Sequence, residues 1–329
     1  MIKKILLSAS ILLVFMSCEK KSSQRILTDS FGNTNELTIV VDNDLWEGSL
    51  GDSIRSILAA PVDGLPREEP MFTLNQIPPS VFTNYATQGR IILKIENEGE
   101  PDIKYMKDVF ATPQRLILVK GSTNQQIVDL IKQDEGKIIG TFKNQEIKEK
   151  QRRISLSLLK DKRLEEKLGI KVNFPSVYRV AKDVDNFFWF RKDITTGTLN
   201  VMIFELPLGA IKENDSMVNQ ITKMRDSIGE KYIPGPTDGS FMITEKKYSP
   251  IFFTTEIEGK KTYVTKGTWE VENAFMAGPY VNYVIEDKPN NRLLVMEGFA
   301  FAPSVEQREY MFELEAIIKS VKFLNEKKE

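Results

Sequence analysis

Residues 261–299 read KTYVTKGTWEVENAFMAGPYVNYVIEDKPNNRLLVMEGF, and their pattern decides the fold of the second half of the chain. Residues 261–271, 280–286 and 292–299 are rich in β-branched and aromatic side chains, and the KPNN at 288–291 supplies turn chemistry between the last two. With residues 251–256 (IFFTTE) ahead of them, these stretches predict a four-stranded antiparallel meander. Short turns favour antiparallel pairing, because a parallel partner needs a crossover of a dozen or more residues.

Upstream, residues 187–191 (FFWFR) and 199–206 (LNVMIFEL) predict two strands joined through Thr195, Thr196 and Gly197. Residues 214–228 place Met217, Val218, Ile221, Met224 and Ile228 on one helical face, with Gly229 as the stop. A last helix is expected over 305–321, opened by Ser304 and Gln307. In the first half, residues 36–42 (ELTIVVD), 90–96 (RIILKIE) and 115–120 (RLILVK) predict strands, and residues 52–59 a helix. Pro61, Gly64, Pro66, Pro70, Pro78 and Pro79 punctuate the connection that follows it. Ser122 and Gln125 form a capping box, and residues 144–168 predict a long basic helix ended by Gly169. Residues 172–180, with Pro175, read as an irregular edge strand.

These elements give an α+β fold: two lobes of mostly antiparallel sheet with packed helices, over 36–170 and 171–325. RLILVKG at 115–121 and RLLVMEG at 292–298 share a pattern, and each precedes a helix-capping signal. An internal duplication and a chance likeness of ordinary strand–helix units both account for this.

With 45 basic and 46 acidic residues the chain lacks the basic excess of a nucleic-acid binder. It contains no histidine, which removes Ser-His-Asp and Cys-His catalysis and every histidine-bearing zinc site. Gly51-Asp52-Ser53 is similar to the nucleophile block of GDSL esterases, but that chemistry needs a histidine base, so Asp52 or Ser53 reads as a helix cap. Ser157-Leu158-Leu159-Lys160 has the S-x-x-K spacing of penicillin-binding enzymes without their partner motifs. Asp42 and Asp44 begin like a calcium loop, but Trp46 occupies the next ligand position. No catalytic residue, metal site or cofactor is therefore assigned. Carboxylate pairs stay open for a glycan hydrolase, with Glu68, Glu69, Glu96, Glu98, Glu100, Glu205, Glu270 and Glu297 as the acids to follow.

Phe188, Trp189, Trp269 and Tyr280 are the candidate binding surface, since exposed aromatics stack on sugars or anchor partner peptides. Adjacent aromatics in one strand also describe a strand covered on both faces. Arg152 and Arg153, in the basic helix, are candidates for contact with anionic lipid headgroups or glycan phosphate, or else belong to a solvated, partly neutralised face.

The beginning of the chain carries its address. Lys3 and Lys4 precede an apolar run over 5–15, which is shorter than the ~20 residues a spanning helix needs and reads as a cleaved signal peptide over 1–17. It leads into Cys18, the one cysteine of the chain, so the exported body holds no internal disulfide. FMSC at 15–18 resembles the lipobox of bacterial lipoproteins, which implies a lipid on Cys18, followed by a polar tether over 18–35. With NDLW at 43–46, FFWFRK at 187–192 and TWEVENAFMAGPYVNY at 268–283, the chain resembles uncharacterised Bacteroidota lipoproteins grouped as a domain of unknown function. The resemblance implies an envelope protein, and Glu19-Lys20-Lys21 favours the periplasmic face of the outer membrane over the cell surface. A non-catalytic binding or assembly module with a protein or glycan partner follows as the expected function. A carboxylate hydrolase of envelope glycan and a peripheral binder of anionic lipid are its alternatives.

Overall fold

The β-rich run at residue 36 becomes the first strand of a five-stranded sheet in the computed structural model, which describes residues 26–324. Residues 1–17, read from sequence as a signal peptide, and Cys18 lie outside the described residues. In chain order the N-terminal lobe contains β1 (Glu36–Val40), α1 (Asn43–Glu47), α2 (Ser49–Leu58), β2 (Thr73–Ile77), β3 (Ile91–Glu96), β4 (Asp102–Lys107), β5 (Arg115–Lys120), α3 (Asn124–Gln133) and α4 (Glu135–Ser155). The strands lie in the order β2-β1-β3-β5-β4; the first four are parallel and β4 is antiparallel to β5. Leu37, Ile39, Leu93, Ile117 and Val119 face a core closed by α2, α3 and α4, while Val40, Ile92 and Leu116 face a smaller cluster on the other side. Alternation between two covered faces is why these strands read as unbroken apolar runs.

The C-terminal lobe contains α5 (Arg163–Leu168), β6 (Arg179–Val184), β7 (Phe187–Ile194), β8 (Gly197–Pro207), α6 (Met217–Tyr232), β9 (Met242–Thr244), β10 (Ile251–Ile257), β11 (Lys260–Val271), β12 (Ala274–Asp287), β13 (Arg292–Phe301) and α7 (Arg308–Ile318). Its eight-stranded sheet runs β9-β11-β12-β13-β8-β7-β6, with β10 pairing β11 as well, and every pairing is antiparallel. Along β13, Leu294, Met296 and Ala300 join the core under α7, and Leu293, Val295 and Phe299 join the core under α6.

The α+β class, the two lobes and the C-terminal meander are those the sequence predicts. The N-terminal sheet departs from antiparallel pairing, because the connections from β1 to β2 and from β2 to β3 are long enough to cross over. The sheets also differ in order: β5 lies between parallel β3 and antiparallel β4, whereas both neighbours of β13 are antiparallel. The shared RLxxxxG pattern therefore does not reflect one repeated topology.

The expected helix over 144–168 is two helices. Between them the backbone pairs with a distant loop: the Leu159 N–H donates to the Phe174 carbonyl (2.9 Å) and the Ser176 N–H to the Ser157 carbonyl (2.9 Å). Leu164 and Leu168 pack in the C-terminal core, so the lobes divide near residue 156 rather than 170. The polar tether ends sooner than composition suggests. Thr28 and Asp29 pair with Ala111 and Thr112, Phe31 stacks on Tyr85 at 4.0 Å, and Asn35 is buried.

The lobes are joined through helix ends rather than a disulfide. No side chain of its own segment caps α7; Glu69 from the other lobe accepts from the Gln307 N–H (2.7 Å) and the Arg308 N–H (2.8 Å). Asn35 donates to Glu309 (3.1 Å), and Gln151 on α4 donates to the Ala316 carbonyl (3.0 Å). Orphan N–H groups at a helix start gain most from a carboxylate, which answers both their hydrogen bonds and the helix dipole. Glu69→Ala is expected to lower stability by about 1–3 kcal/mol in urea unfolding. An unchanged midpoint would show that the cap does not hold the lobes.

Candidate functional site

Buried residues on α6 fall at 217, 221, 225, 229 and 232, one stripe of the helix, and the middle one is an arginine. Arg225 and its partner Glu297 on β13 are each almost wholly excluded from solvent. The guanidinium donates twice to the carboxylate (2.6 and 2.7 Å) and once to the Thr244 hydroxyl (2.5 Å), and it lies 3.6 Å from the Tyr280 ring centroid. Asn282 donates to the same carboxylate (2.8 Å), and Asp226 accepts from both the amide and the hydroxyl of Thr244 (2.7 Å each). A planar guanidinium satisfied on both edges and stacked on a ring is the form in which a buried ion pair can be held. The clamp ties α6 to β13 and β9. A Cβ on Gly229 would run into the Met242 carbonyl, so glycine permits this close approach.

Past the clamp, the chain folds back on itself. The Ile233 N–H donates to the Gly229 carbonyl (2.9 Å), and the Met242 N–H donates to the Ile233 carbonyl (3.1 Å). Ile233, Pro234 and Met242 thereby form one wall of a pocket whose other walls are Trp189, Trp269, Phe299, Phe301 and Met276. Trp269 and Phe299 meet edge to face at 5.8 Å, and Trp189 lies 6.5 Å from Phe299. The cavity measures about 70 Å³. Trp269 reaches it because Gly278 stands opposite in the β11–β12 pair: a side chain there would collide with the Ala300 carbonyl and the indole. The Trp269 N–H donates to the Ala300 carbonyl (3.1 Å) and the Trp189 N–H to Asn200 (3.0 Å). With both indole N–H groups engaged, the walls offer ring faces, the thioethers of Met242 and Met276 and the Thr198 hydroxyl. Arg191, paired with Asp193 at 3.0 Å, stands at the rim, and Phe275 beside Met276 is fully exposed.

Of the aromatic residues named from sequence, Trp189 and Trp269 come together here. Phe188 belongs to the core on the opposite face, and Tyr280 lies beneath Arg225, where burial pushes its hydroxyl up to about 12. Neither is a surface residue, and Trp269 itself is only 2% exposed, so of the four only Trp189 is half-buried rather than buried. Phe187 and Phe190 are buried on alternate faces of β7, as in a strand covered on both faces. Arg152 and Arg153 both grip Glu149 on their own helix (2.7 Å each), and Arg153 also donates to the Gly32 carbonyl (3.2 Å). Burial works against the Glu149 charge, but the two arginines outweigh it and hold the carboxyl at about 2.

The acids followed from sequence are dispersed. Glu69 caps α7, Glu96 lies between Lys94 and Lys120, Glu205 accepts from Arg292 (2.9 Å), and Glu297 holds Arg225. Glu68, Glu98 and Glu100 are exposed, and Glu270 is half-buried. Reasoning from sequence passed over a cavity of about 40 Å³ at the seam between the lobes, lined by Lys143, Lys266, Glu315 and Asp63. Glu315 pairs with Lys266 at 2.5 Å. Burial, reinforced by the Lys266 charge, moves the Lys143 ammonium below the ordinary lysine range.

Residues 30–155 match the family DUF8532 and residues 157–320 the family DUF4837, each described as a domain of unknown function. The chain thus carries two uncharacterised domains, and the join between them falls at the break after α4. No curated protein matches the chain.

Arg225→Met leaves Glu297 buried without its cation and is expected to cost about 3–5 kcal/mol, whereas Arg225→Met with Glu297→Leu recovers most of that loss. Chemical denaturation checks both, and equal losses in the single and double variants would contradict the clamp.

Proposed function

We propose that this chain of two uncharacterised domains is a lipid-anchored, non-catalytic binding module of the cell envelope. Its C-terminal pocket takes one aromatic or branched apolar side chain of a partner protein. The observation that carries the reading is the convergence of Trp189 and Trp269, remote in sequence, on a single aromatic-walled pocket. At about 70 Å³ it exceeds the space of a water but falls short of the ~300 Å³ at which small-molecule sites begin, which suits one anchoring side chain. Pockets of this kind supply binding energy by desolvating an inserted ring. Besides its apolar walls the lining includes Thr198, Asn200 and Arg191, and Arg191 adds a charged group to the contact.

The address rests on the sequence: the short signal-like run and Cys18 support a lipid anchor, with the body on the periplasmic face of the outer membrane. No described helix is long and apolar enough to cross a membrane. A diacyl anchor gives stable attachment where a single chain does not. Cys18→Ser is expected to release the protein from the membrane fraction and abolish palmitate labelling. Continued membrane attachment of the variant would contradict the anchor.

The pocket is tested in cells by placing a photo-crosslinking phenylalanine analogue in place of Met276, which lines the pocket and is half-buried. A crosslink to one protein, lost when Trp189→Ala is added to the same chain, is the expected result. Crosslinks to glycan or lipid alone, or a protein crosslink indifferent to Trp189→Ala, would contradict this partner class.

A further inference from the structure

Lys137, Thr141, Asn144, Gln145 and Lys148 share one side of α4, at the three- and four-residue steps that align side chains along a helix. They face Tyr105 and Met106 on β4 and Arg115 on β5 across an open concavity of about 360 Å³, within the ~300–1,000 Å³ range of small-molecule sites. Its lining contains Arg115, Lys137 and Lys148 and no carboxylate.

The three cations are not equally engaged. Lys137 lies 3.9 Å over the Tyr105 ring and 3.6 Å from Asp134, which also accepts from the Tyr105 hydroxyl (2.8 Å). Arg115 is half-buried, and neither it nor Lys148 makes a side-chain hydrogen bond or ion pair among the described residues. Gln145 is only 6% exposed, and its side-chain amide also has no hydrogen-bond partner among them. The two carboxylates next along α4 are engaged elsewhere: Glu146 holds Arg90 and the Asn35 N–H, and Glu149 holds Arg152 and Arg153. A half-buried guanidinium beside an unpaired ammonium sets up a field that selects an anion.

We propose that this concavity binds a phosphate group. The Arg115 fork takes two of its oxygens, Lys148 balances the second charge, and the Gln145 amide donates to a third oxygen. A dianion uses both free cations at once, which a single carboxylate does not. The site lies in the other lobe from the aromatic pocket and does not depend on it. The phosphate belongs either to a soluble ester or to a phospholipid headgroup, and the experiment separates the two.

The full chain in neutral detergent is titrated against inorganic phosphate and followed by phosphorus NMR, and is separately sedimented with phosphatidylcholine vesicles with and without phosphatidic acid. Saturable phosphate binding is expected, weakened about tenfold or more by Arg115→Met and by Lys148→Met but unchanged by Arg152→Met, which lies outside the concavity. Lys148 is exposed, so its variant retains the test if Arg115→Met fails to fold. Sedimentation with phosphatidic acid vesicles that is lost in Lys148→Met assigns the phosphate to a headgroup; sedimentation indifferent to the variant assigns it to a soluble ester. Absence of saturable phosphate binding, or an equal loss in Arg152→Met, would overturn the proposal.

Discussion

The Arg225–Glu297 pair is the interaction on which the architecture of the C-terminal lobe turns. It occupies the middle of a helix stripe and the middle of a central strand, where an apolar pair would give comparable or greater stability. A hydrophobic contact would also let α6 slide along the sheet. Two parallel hydrogen bonds, a third to Thr244 and the Tyr280 ring below fix both the rotation and the height of the helix. Fixing α6 fixes the turn after it, and so the wall of Ile233, Pro234 and Met242 that closes the aromatic pocket. The tryptophans belong to the body of the sheet and the opposite wall to the turn after α6 and the β9 strand it meets, so the shape of the pocket depends on that tie.

Between the lobes the same means recur at the seam. Glu69 reaches from one lobe to the N-terminus of a helix in the other, α4 packs against both, and Lys266 pairs with Glu315 beside the desolvated Lys143. These contacts are charge-assisted and largely shielded from water, the condition in which polar bonds fix geometry rather than only adding stability. The two domains are therefore joined with a defined relative placement, and the aromatic pocket of one lobe and the basic concavity of the other keep a fixed relation.

The meander, the strands around 90 and 115 and the terminal helix were legible because local pattern and tertiary environment agree there. Parallel pairing in the N-terminal sheet was not, since direction follows from how the connections cross and not from composition. The break at residues 156–162 was hidden because a distant loop supplies its backbone partners. Helix periodicity also suggested the face 217, 218, 221, 224 and 228, whereas the buried stripe follows 217, 221, 225, 229 and 232. An arginine in a helix stripe and a glutamate in the apolar strand LLVMEGF were the visible trace of the clamp. Within the pocket, Trp189 and Trp269 could be named but not joined, because the Trp269–Gly278 register that lets the indole lie flat exists only once β11 and β12 are paired.

The most direct test uses the three tryptophans of the chain as reporters. Trp189 and Trp269 line the pocket, while Trp46 lies in the other lobe against Arg55 at 4.4 Å. With 5-fluorotryptophan incorporated throughout, a fluorine NMR titration with p-cresol, which matches a tyrosine side chain, should move the Trp189 and Trp269 resonances together and to saturation while Trp46 stays in place. If neither pocket resonance moved, or all three drifted linearly with added p-cresol, the pocket would not be the binding site of this protein.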